Sequence, residues 1–327
     1  MKKQKKKKKS KGFRVFLAIL LTLILSGTFV ANHFLNKINR FSEYETVPVE
    51  DEYFETDVHN DSLEIIDPEN IEWNGENYSA NDDKLINILL VGQDRREGEG
   101  RQRSDSMILC SFNPETNEVA LISFLRDLYI RIPGYSDNRL NAAYSFGGFP
   151  LLVDTLYVNF GITVDGCVEV DFNGFKKVID AVGGIDVKLT AAEAKIIGDG
   201  AKEGISHLDG DHALMYARIR KLDSDFGRTN RQRNVVKAVF NQVKNCSVSE
   251  LMGLVNTVLP LVTTDMSNYQ ITSLAMQYAP ALANLKMSTY SVPADGTYSH
   301  AMIRGMAVLV PNLYEVKKIL FEEYLPL

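Results

Sequence analysis

Residues 85–92 read LINILLVG, an apolar run broken only by Asn87. So uniform a run is expected of a central strand covered on both faces, rather than of a half-exposed edge strand. Around it the elements alternate. Asp105–Phe112 reads as a second strand. Residues 113–117 (NPETN) make a turn into a third strand, Val119–Ser123, and Tyr129–Ile132 is a candidate fourth. A helix is expected at Phe149–Phe160 and a strand at Val168–Val170. A helix over Phe172–Ala181, capped by Asp171 and ended by Gly183-Gly184, leads into a strand at Ile185–Leu189. Further helices are expected at 209–220, 228–245, 248–259, 267–285 and 311–323. Strands alternating with helices predict an α/β fold, a central mixed β-sheet layered between α-helices. The 244 residues from Lys84 onward suffice for one large core, and no internal repeat interrupts them.

The N-terminus predicts the compartment. Residues 1–14 carry nine Lys/Arg and no acid, and Val15–Leu35 follows with 21 uncharged residues. About 20 such residues span a bilayer core. The basic flank predicts a cytoplasmic N-terminus and an extracellular remainder, with the chain held as a single-pass membrane protein. Phe29-Val30-Ala31 is a poor signal-cleavage site, so an uncleaved anchor is expected. The lysine block fits topology and anionic lipid better than nucleic acid. From Phe41 to Asp83 there are fifteen Asp/Glu and no Lys or Arg, the composition of a polar stalk. The division expected is 1–14 tail, 15–35 transmembrane helix, 36–83 extracellular stalk (a short element near Leu63–Ile66 or Ile71–Tyr78 could dock), and 84–327 folded domain. Cys110, Cys167 and Cys246 show no metal spacing; they are free buried thiols or one pair plus a free thiol.

Against this acidic background, residues 208–233 (LDGDHALMYARIRKLDSDFGRTNRQR) hold five arginines. Val235, Val239 and Val243 mark the buried face of a helix, and stepping back four and seven residues from Val235 reaches Arg231 and Arg228. Arginines on the buried side of a first turn join free backbone N–H groups and the positive end of the helix dipole. That arrangement calls for an anion, and planar guanidinium forks suit phosphate. The alternative is pairing with Asp223 and Asp225.

A second polar set lies where the first strands end. Asp94 follows the first strand, Arg103-Ser104-Asp105 opens the second, and Arg126-Asp127 follows the third. A hairpin would bring Asp94 and Asp105 together beyond the carboxyl ends of strands, where ligands bind in α/β sheets. Two carboxylates beside several arginines suit a divalent cation bridging to phosphate; ordinary Asp–Arg pairing is the plain alternative. Other chemistry is poorly supported. His207 and His212 are five residues apart, wrong for HExxH zinc binding, and no Walker A, GxSxG or dinucleotide glycine motif occurs.

The chain resembles the LytR-CpsA-Psr family from about Leu85 to Val239. The resemblance rests on NILLVGQD (87–94), RSDSMIL (103–109), SFLRDLYIRIPGY (123–135), RLNAAYSFGG (139–148), VDFNGFKKVIDAVGGIDV (170–187), LDGDHALMYARIR (208–220) and DFGRTNRQRNVV (225–236). Leu125 stands where the family usually has proline, and His212 where glutamine is usual; neither removes a charged group. The resemblance implies that 84–327 is a catalytic domain of a cell-wall phosphotransferase. Such an enzyme moves an anionic glycopolymer (teichoic acid, capsule or secondary wall polysaccharide) from a polyprenyl-pyrophosphate carrier to a peptidoglycan hydroxyl, generally the C6 hydroxyl of a muramic acid. It further implies Asp94 and Asp105 as ligands of Mg²⁺ (or Mn²⁺), Asp94 also aiding deprotonation of the acceptor; that no nucleic acid is a partner is expected from the topology above. Arg126, Arg218, Arg220, Arg228 and Arg231 would hold the pyrophosphate, with Arg103 and Gln232 as lesser candidates and Asp225 orienting arginines. Phe149, Leu152, Leu156 and Phe160 share a helix face that could line a groove for the prenyl tail, although plain core packing gives the same pattern. Hydrolysis of the same donor, or a non-catalytic regulatory role, are the competing functions.

Overall fold

The computed structural model describes residues 32–41, 57, 62–74, 83–93, 95, 101–223, 225–244, 254, 256–278 and 284–327. Asp94, Cys246 and most of the expected transmembrane run (15–31) lie outside them. Among the described residues no helix is long and apolar enough to cross a membrane.

Strand β3 (Ile86–Gln93) lies near the middle of a seven-stranded mixed sheet. It pairs antiparallel with β4 (Ser104–Asn113) and parallel with β8 (Gly166–Asp171). Beyond β4 come β5 (Glu118–Phe124), antiparallel, and β12 (Lys286–Val292), parallel to β5. Beyond β8 come β11 (Thr263–Thr264), antiparallel, and β1 (Asn39–Arg40), parallel to β11. Three small sheets surround this one. The first pairs β6 (Tyr129–Ile130) with β7 (Asn138–Arg139), and the second pairs β9 (Ile185–Leu189) with β10 (Gly204–Leu208). The third joins β13 (Tyr298–Ile303) to β14 (Met306–Pro311) and to β2 (Glu64–Ile65). Asn39–Arg40 and Glu64–Ile65, within the segment expected as a stalk, are therefore strands of folded sheets.

Helix α1 (Leu140–Phe160) covers one face. It begins nine residues before the expected start because its first half passes through Gly147-Gly148, which reads as a break. The helix does kink there, at Gly148 with φ 65°, just ahead of Pro150. Helix α2 (Phe172–Ala181) is capped by Asp171, whose carboxylate accepts from the Gly174 N–H at 2.7 Å. With α4 (Gly210–Ala217) and α5 (Asp225–Lys244) it covers the opposite face. Between β9 and β10 a capping box, Thr190 with Glu193, starts α3 (Ala191–Ile197). Helix α6 (Asn268–Tyr278) occupies the start of the 267–285 helix expected from sequence. Helix α7 (Leu313–Ile319) continues into a π turn, Leu320–Tyr324.

The main core forms between the sheet and α1. Leu89, Val91, Leu109 and Phe124 meet Phe149, Leu152, Leu156 and Phe160, all at most 1% exposed. The four helix residues expected to line a lipid groove are thus core residues, closed over by the sheet and by Leu313, Leu320 and Phe321. Cys110 and Cys167 are free thiols.

Candidate active site

The apolar cavity lies on the other face of the sheet. About 1150 Å³ in volume, it has a floor of Leu90, Gly92, Val168 and Val170. Its walls come from Phe172 and Phe175 of α2, Leu214 and Met215 of α4, and Val235, Val236 and Val239 of α5. A strand exposes alternate residues to opposite faces, so Leu89 and Val91 enter the core while Leu90 and Gly92 floor the cavity. Helices α2 and α4 meet at Gly210, where a Cβ would collide with the Lys176 backbone.

Asp105, Arg218, Arg220, Arg228 and Gln232 line the same cavity. Asp105 Oδ1 accepts from Arg126 Nη1 at 2.8 Å and lies 3.8 Å from Arg220 Nη2. Arg126 follows β5, Asp105 opens β4, and the register Gln93↔Ser104 puts the end of β3 beside them. Burial works against the charge of Arg126, but Asp127 and Asp105 outweigh it and raise its pKa. The Arg218 guanidinium lies 4.4 Å from the centre of the Phe172 ring, a cation–π contact at the cavity wall.

Arg228 and Arg231, three residues apart on α5, are 2% and 3% exposed. Arg231 is fully engaged. Its Nε donates to Glu193 (2.7 Å), Nη1 to the Ile219 carbonyl (2.9 Å) and Nη2 to Asp223 (2.5 Å). It does not line the cavity; it ties α5 to α3 and to the loop after α4. This geometry speaks for a structural role for Arg231 over the phosphate role expected from the sequence, since each of its three guanidinium nitrogens already has an acceptor and it does not line the cavity. Arg228 is different. Asp225 Oδ1 is 2.7 Å from Nη1 without hydrogen-bond geometry, and none of its three guanidinium nitrogens has a hydrogen-bond partner among the described residues. Burial, then the neighbouring Arg126, lowers its pKa. Gln232 Oε1 also lacks a partner there. Arg103 turns toward Asn141 (3.4 Å) and does not line the cavity.

Behind this rim lie two further carboxylates, Asp127 and Glu169. Asp127 is 3.4 Å from Arg126 Nε and 3.5 Å from Arg139 Nε, and it shares a hydrogen bond with Asp225. Burial, first, and the Asp225 carboxylate push Asp127 up to about 6 against the pull of Arg126. Asp225 moves oppositely: burial opposes its charge, but Arg228 and the hydrogen bond from Asp127 hold it below the usual range. On the α1 side, buried Glu169 accepts from Gln93 Nε2 and the Tyr144 hydroxyl. The signal for Asp127 was its place beside Arg126; nothing in the sequence singled out Glu169.

Asp94 follows Gln93 and lies outside the described residues; among the described residues no cluster of three metal-binding side chains occurs. Asp105 alone fits an ion that needs only one or two carboxylates once phosphate oxygens join it, as Mg²⁺ does.

The LytR_cpsA_psr family matches residues 51–322. The polyisoprenyl-teichoic acid–peptidoglycan teichoic acid transferase TagU of Bacillus anthracis is 36% identical over 217 residues, 64% of this chain and 70% of that protein. TagU of Oceanobacillus iheyensis is 37% identical over 61% of this chain and 65% of its own length. Among solved structures, TagT bound to LI-WTA aligns with a TM-score of 0.61 at 27% identity, covering 77% of this chain and 95% of that one. Bacillus subtilis TagV aligns at 0.58 and 29%, covering 74% and 97%. The central mixed sheet between helices is common to these structures, and on the extent of the family match the chain belongs to the LytR_cpsA_psr family.

Proposed function

We propose that this protein is a transferase that attaches an anionic glycopolymer, of the teichoic acid class, to peptidoglycan from a polyprenyl-pyrophosphate donor. The observation that carries the reading is Arg228: a buried cation that, among the described residues, has an ion-pair neighbour in Asp225 but no hydrogen-bonded acceptor, at the rim of an apolar cavity. A buried donor left unmatched is costly. A pyrophosphate joined to a prenyl chain answers both features, its phosphates meeting Arg228, Arg220 and Arg218 while its tail fills the cavity. The family membership and the names of the relatives support the same substrate class.

In this reading the acceptor hydroxyl oxygen attacks the phosphorus that bears the glycopolymer. A P–O bond forms there, the bridging P–O bond breaks, and prenyl phosphate leaves. The hydroxyl proton passes to a carboxylate, for which Asp94 is the candidate. Arg228, Arg220 and Arg218 hold the phosphates in line and offset the charge that builds on them, which is most of what phosphoryl transfer asks of a protein. Arg126, braced by Asp105 and Asp127, faces the same charge. Asp105 with Asp94 would hold Mg²⁺ or Mn²⁺, which supplies neutralisation of phosphate charge. The chain is anchored by Val15–Leu35 with this domain outside the cell, so donor and wall are both within reach.

The test is incubation of purified protein with a synthetic prenyl-pyrophosphoryl disaccharide and peptidoglycan. Labelled wall fragments are expected, with turnover lost in excess chelator. Arg228→Ala should weaken donor binding tenfold or more, as charge-assisted bonds to phosphate contribute about 1.5–3 kcal/mol each. Release of free sugar phosphate instead of labelled wall would convert the assignment to a pyrophosphatase.

A further inference from the structure

One wall of the cavity, Val258 and Val262, belongs to the segment that carries β11, and that segment is bound to the first residues after the apolar N-terminal run. The Asn39 N–H donates to the Val262 carbonyl (3.2 Å), Asn39 Nδ2 to the Pro260 carbonyl (2.9 Å), and the Phe41 N–H to the Thr264 carbonyl (3.0 Å). Asn268 Nδ2 donates to Asn36 Oδ1 at 2.7 Å. Ile38 is buried. The Phe41 ring packs 4.7 Å from Phe149, with the Arg101 guanidinium 5.0 Å above it. Gly148, at φ +65°, leaves room for this seat, since a Cβ there would collide with Phe41 and Arg101. Residues 36–41 are therefore held by the fold and do not form a loose tether.

The direction of entry follows from the register. Strand β1 is parallel to β11 and β11 antiparallel to β8, with Asn39 level with Thr263 and Glu169, and Arg40 level with Thr264 and Val168. The chain thus enters the sheet from the end where β3 and β8 finish. Asp105 and Arg126 stand at that same end. The apolar run stops at Leu35, four residues before Asn39. At no more than ~3.5 Å per residue, that places β1 within about 14 Å of the end of the span. Lys37 and Arg40 bond to neutral groups among the described residues, namely Asn256, the Met266 carbonyl and Asn268. Cations so placed at the end of a membrane span suit lipid phosphates.

We infer that residues 36–41 and 256–268 form a collar that binds phospholipid headgroups and seats the domain on the bilayer, with the arginine rim and the Val258–Val262 wall turned toward the membrane. The inference rests on the anchored, prenyl-dependent reading above. It adds a fixed orientation in which the donor's chain passes from bilayer to cavity with little exposure to water.

The test uses full-length protein in vesicles of phosphatidylglycerol and phosphatidylethanolamine without donor, so transferase activity does not enter. Trp73→Phe removes the only native tryptophan. Asn256→Trp then reports from the collar and Tyr157→Trp from the far end of α1, where Tyr157 is 61% exposed. Lipid brominated near the headgroup should quench the Asn256→Trp reporter at least threefold more than the Tyr157→Trp reporter. A Gly-Ser insert between Leu35 and Asn36 should bring the two to the same level. Co-flotation with equal quenching in the uninserted protein would overturn the collar and leave the transferase reading standing. Failure to co-float would overturn the anchor and the collar together.

Discussion

The two faces of the central sheet are made from the same strands and the same kinds of residue, yet only one is filled along its whole length. Toward α1, Leu89, Val91 and Leu109 meet Phe149, Leu152, Leu156 and Phe160 in close packing. Toward α2, α4 and α5, Leu90, Val168 and Val170 face a space of about 1150 Å³. Sealed and dry, such a void would cost roughly 28 kcal/mol at the measured ~24 cal/mol per Å³, more than the whole stability of a domain. The cavity persists because it opens at a charged rim. Its walls are shaped for an occupant, while the other face is its own occupant. Hydrophobic pattern alone does not distinguish these cases; what distinguishes them is which helices close over the strand and how tightly.

The sharpest way to break the comparison is at the rim, where Arg231 belongs to the filled kind of environment and Arg228 to the open kind. Arg231→Ala removes a buried cation that pairs with Glu193 and Asp223 and donates to the Ile219 carbonyl, and should cost about 3–5 kcal/mol in urea unfolding. Arg228→Ala should leave stability within about 1 kcal/mol, since Asp225 keeps Arg126 and Asp127 nearby, and its loss should appear in donor affinity. Equal stability of the two variants would show that both arginines serve the ligand, against the geometry.

A smaller contrast separates the faces themselves. Leu156→Ala should destabilise by about 2–5 kcal/mol, the usual range for a buried leucine. Leu214→Ala, at the cavity wall, removes atoms that already border open space and should cost no more than about 1 kcal/mol. The second variant should instead loosen binding of prenyl donors, and more so for longer chains. A Leu214→Ala protein as destabilised as Leu156→Ala would mean that the cavity closes in solution.

Much of this architecture was legible. The run at 85–92, the turn at 113–117 and the Asp171 cap gave β3, β4, β5, β8 and α2 nearly to the residue, because local apolar pattern and capping chemistry decide them. The strands from β10 onward were missed. Strand β12 (KMSTYSV) carries polar residues on an alternating, half-exposed face, and its pairing with β5 is set by contacts 160 or more residues apart. The rim was legible as charge: Asp105, Arg126, Arg218, Arg220, Arg228 and Gln232 were marked from their motifs. Direction was not. Arg228 and Arg231 both lie on the buried side of α5, but the partners of Arg231 come from α3 and the loop after α4, which sequence spacing does not reveal. For the same reason the prenyl groove was expected along Phe149–Phe160, since an apolar helix face reads alike whether it packs on a sheet or lines a cavity.

The finest distinction at the rim is a proton. Asp127, 16% exposed and hydrogen-bonded to Asp225, titrates near 6 instead of its ordinary 3.8, chiefly through burial. Between those values the folded protein holds a proton that the unfolded chain releases, so this stabilisation is complete below about pH 4 and is lost as pH rises through 6. Asp225 contributes with the opposite sign, since its carboxylate is held ionised and its contribution is lost as pH falls through its lowered pKa. The pair is best matched between these limits, one carboxyl protonated and its partner charged. Asp127→Asn keeps a donor toward Asp225 and cannot ionise. The melting temperature of the natural protein should therefore fall relative to Asp127→Asn between about pH 4 and 6, and level off above that. One pKa unit corresponds to about 1.4 kcal/mol, and a domain of this size shifts by about 2–4 °C per kcal/mol, so a difference of a few degrees is expected for each pH unit in that window. Parallel melting curves for the two proteins across that range would show that Asp127 and Asp225 do not share the proton, and that the arginine rim is set without it.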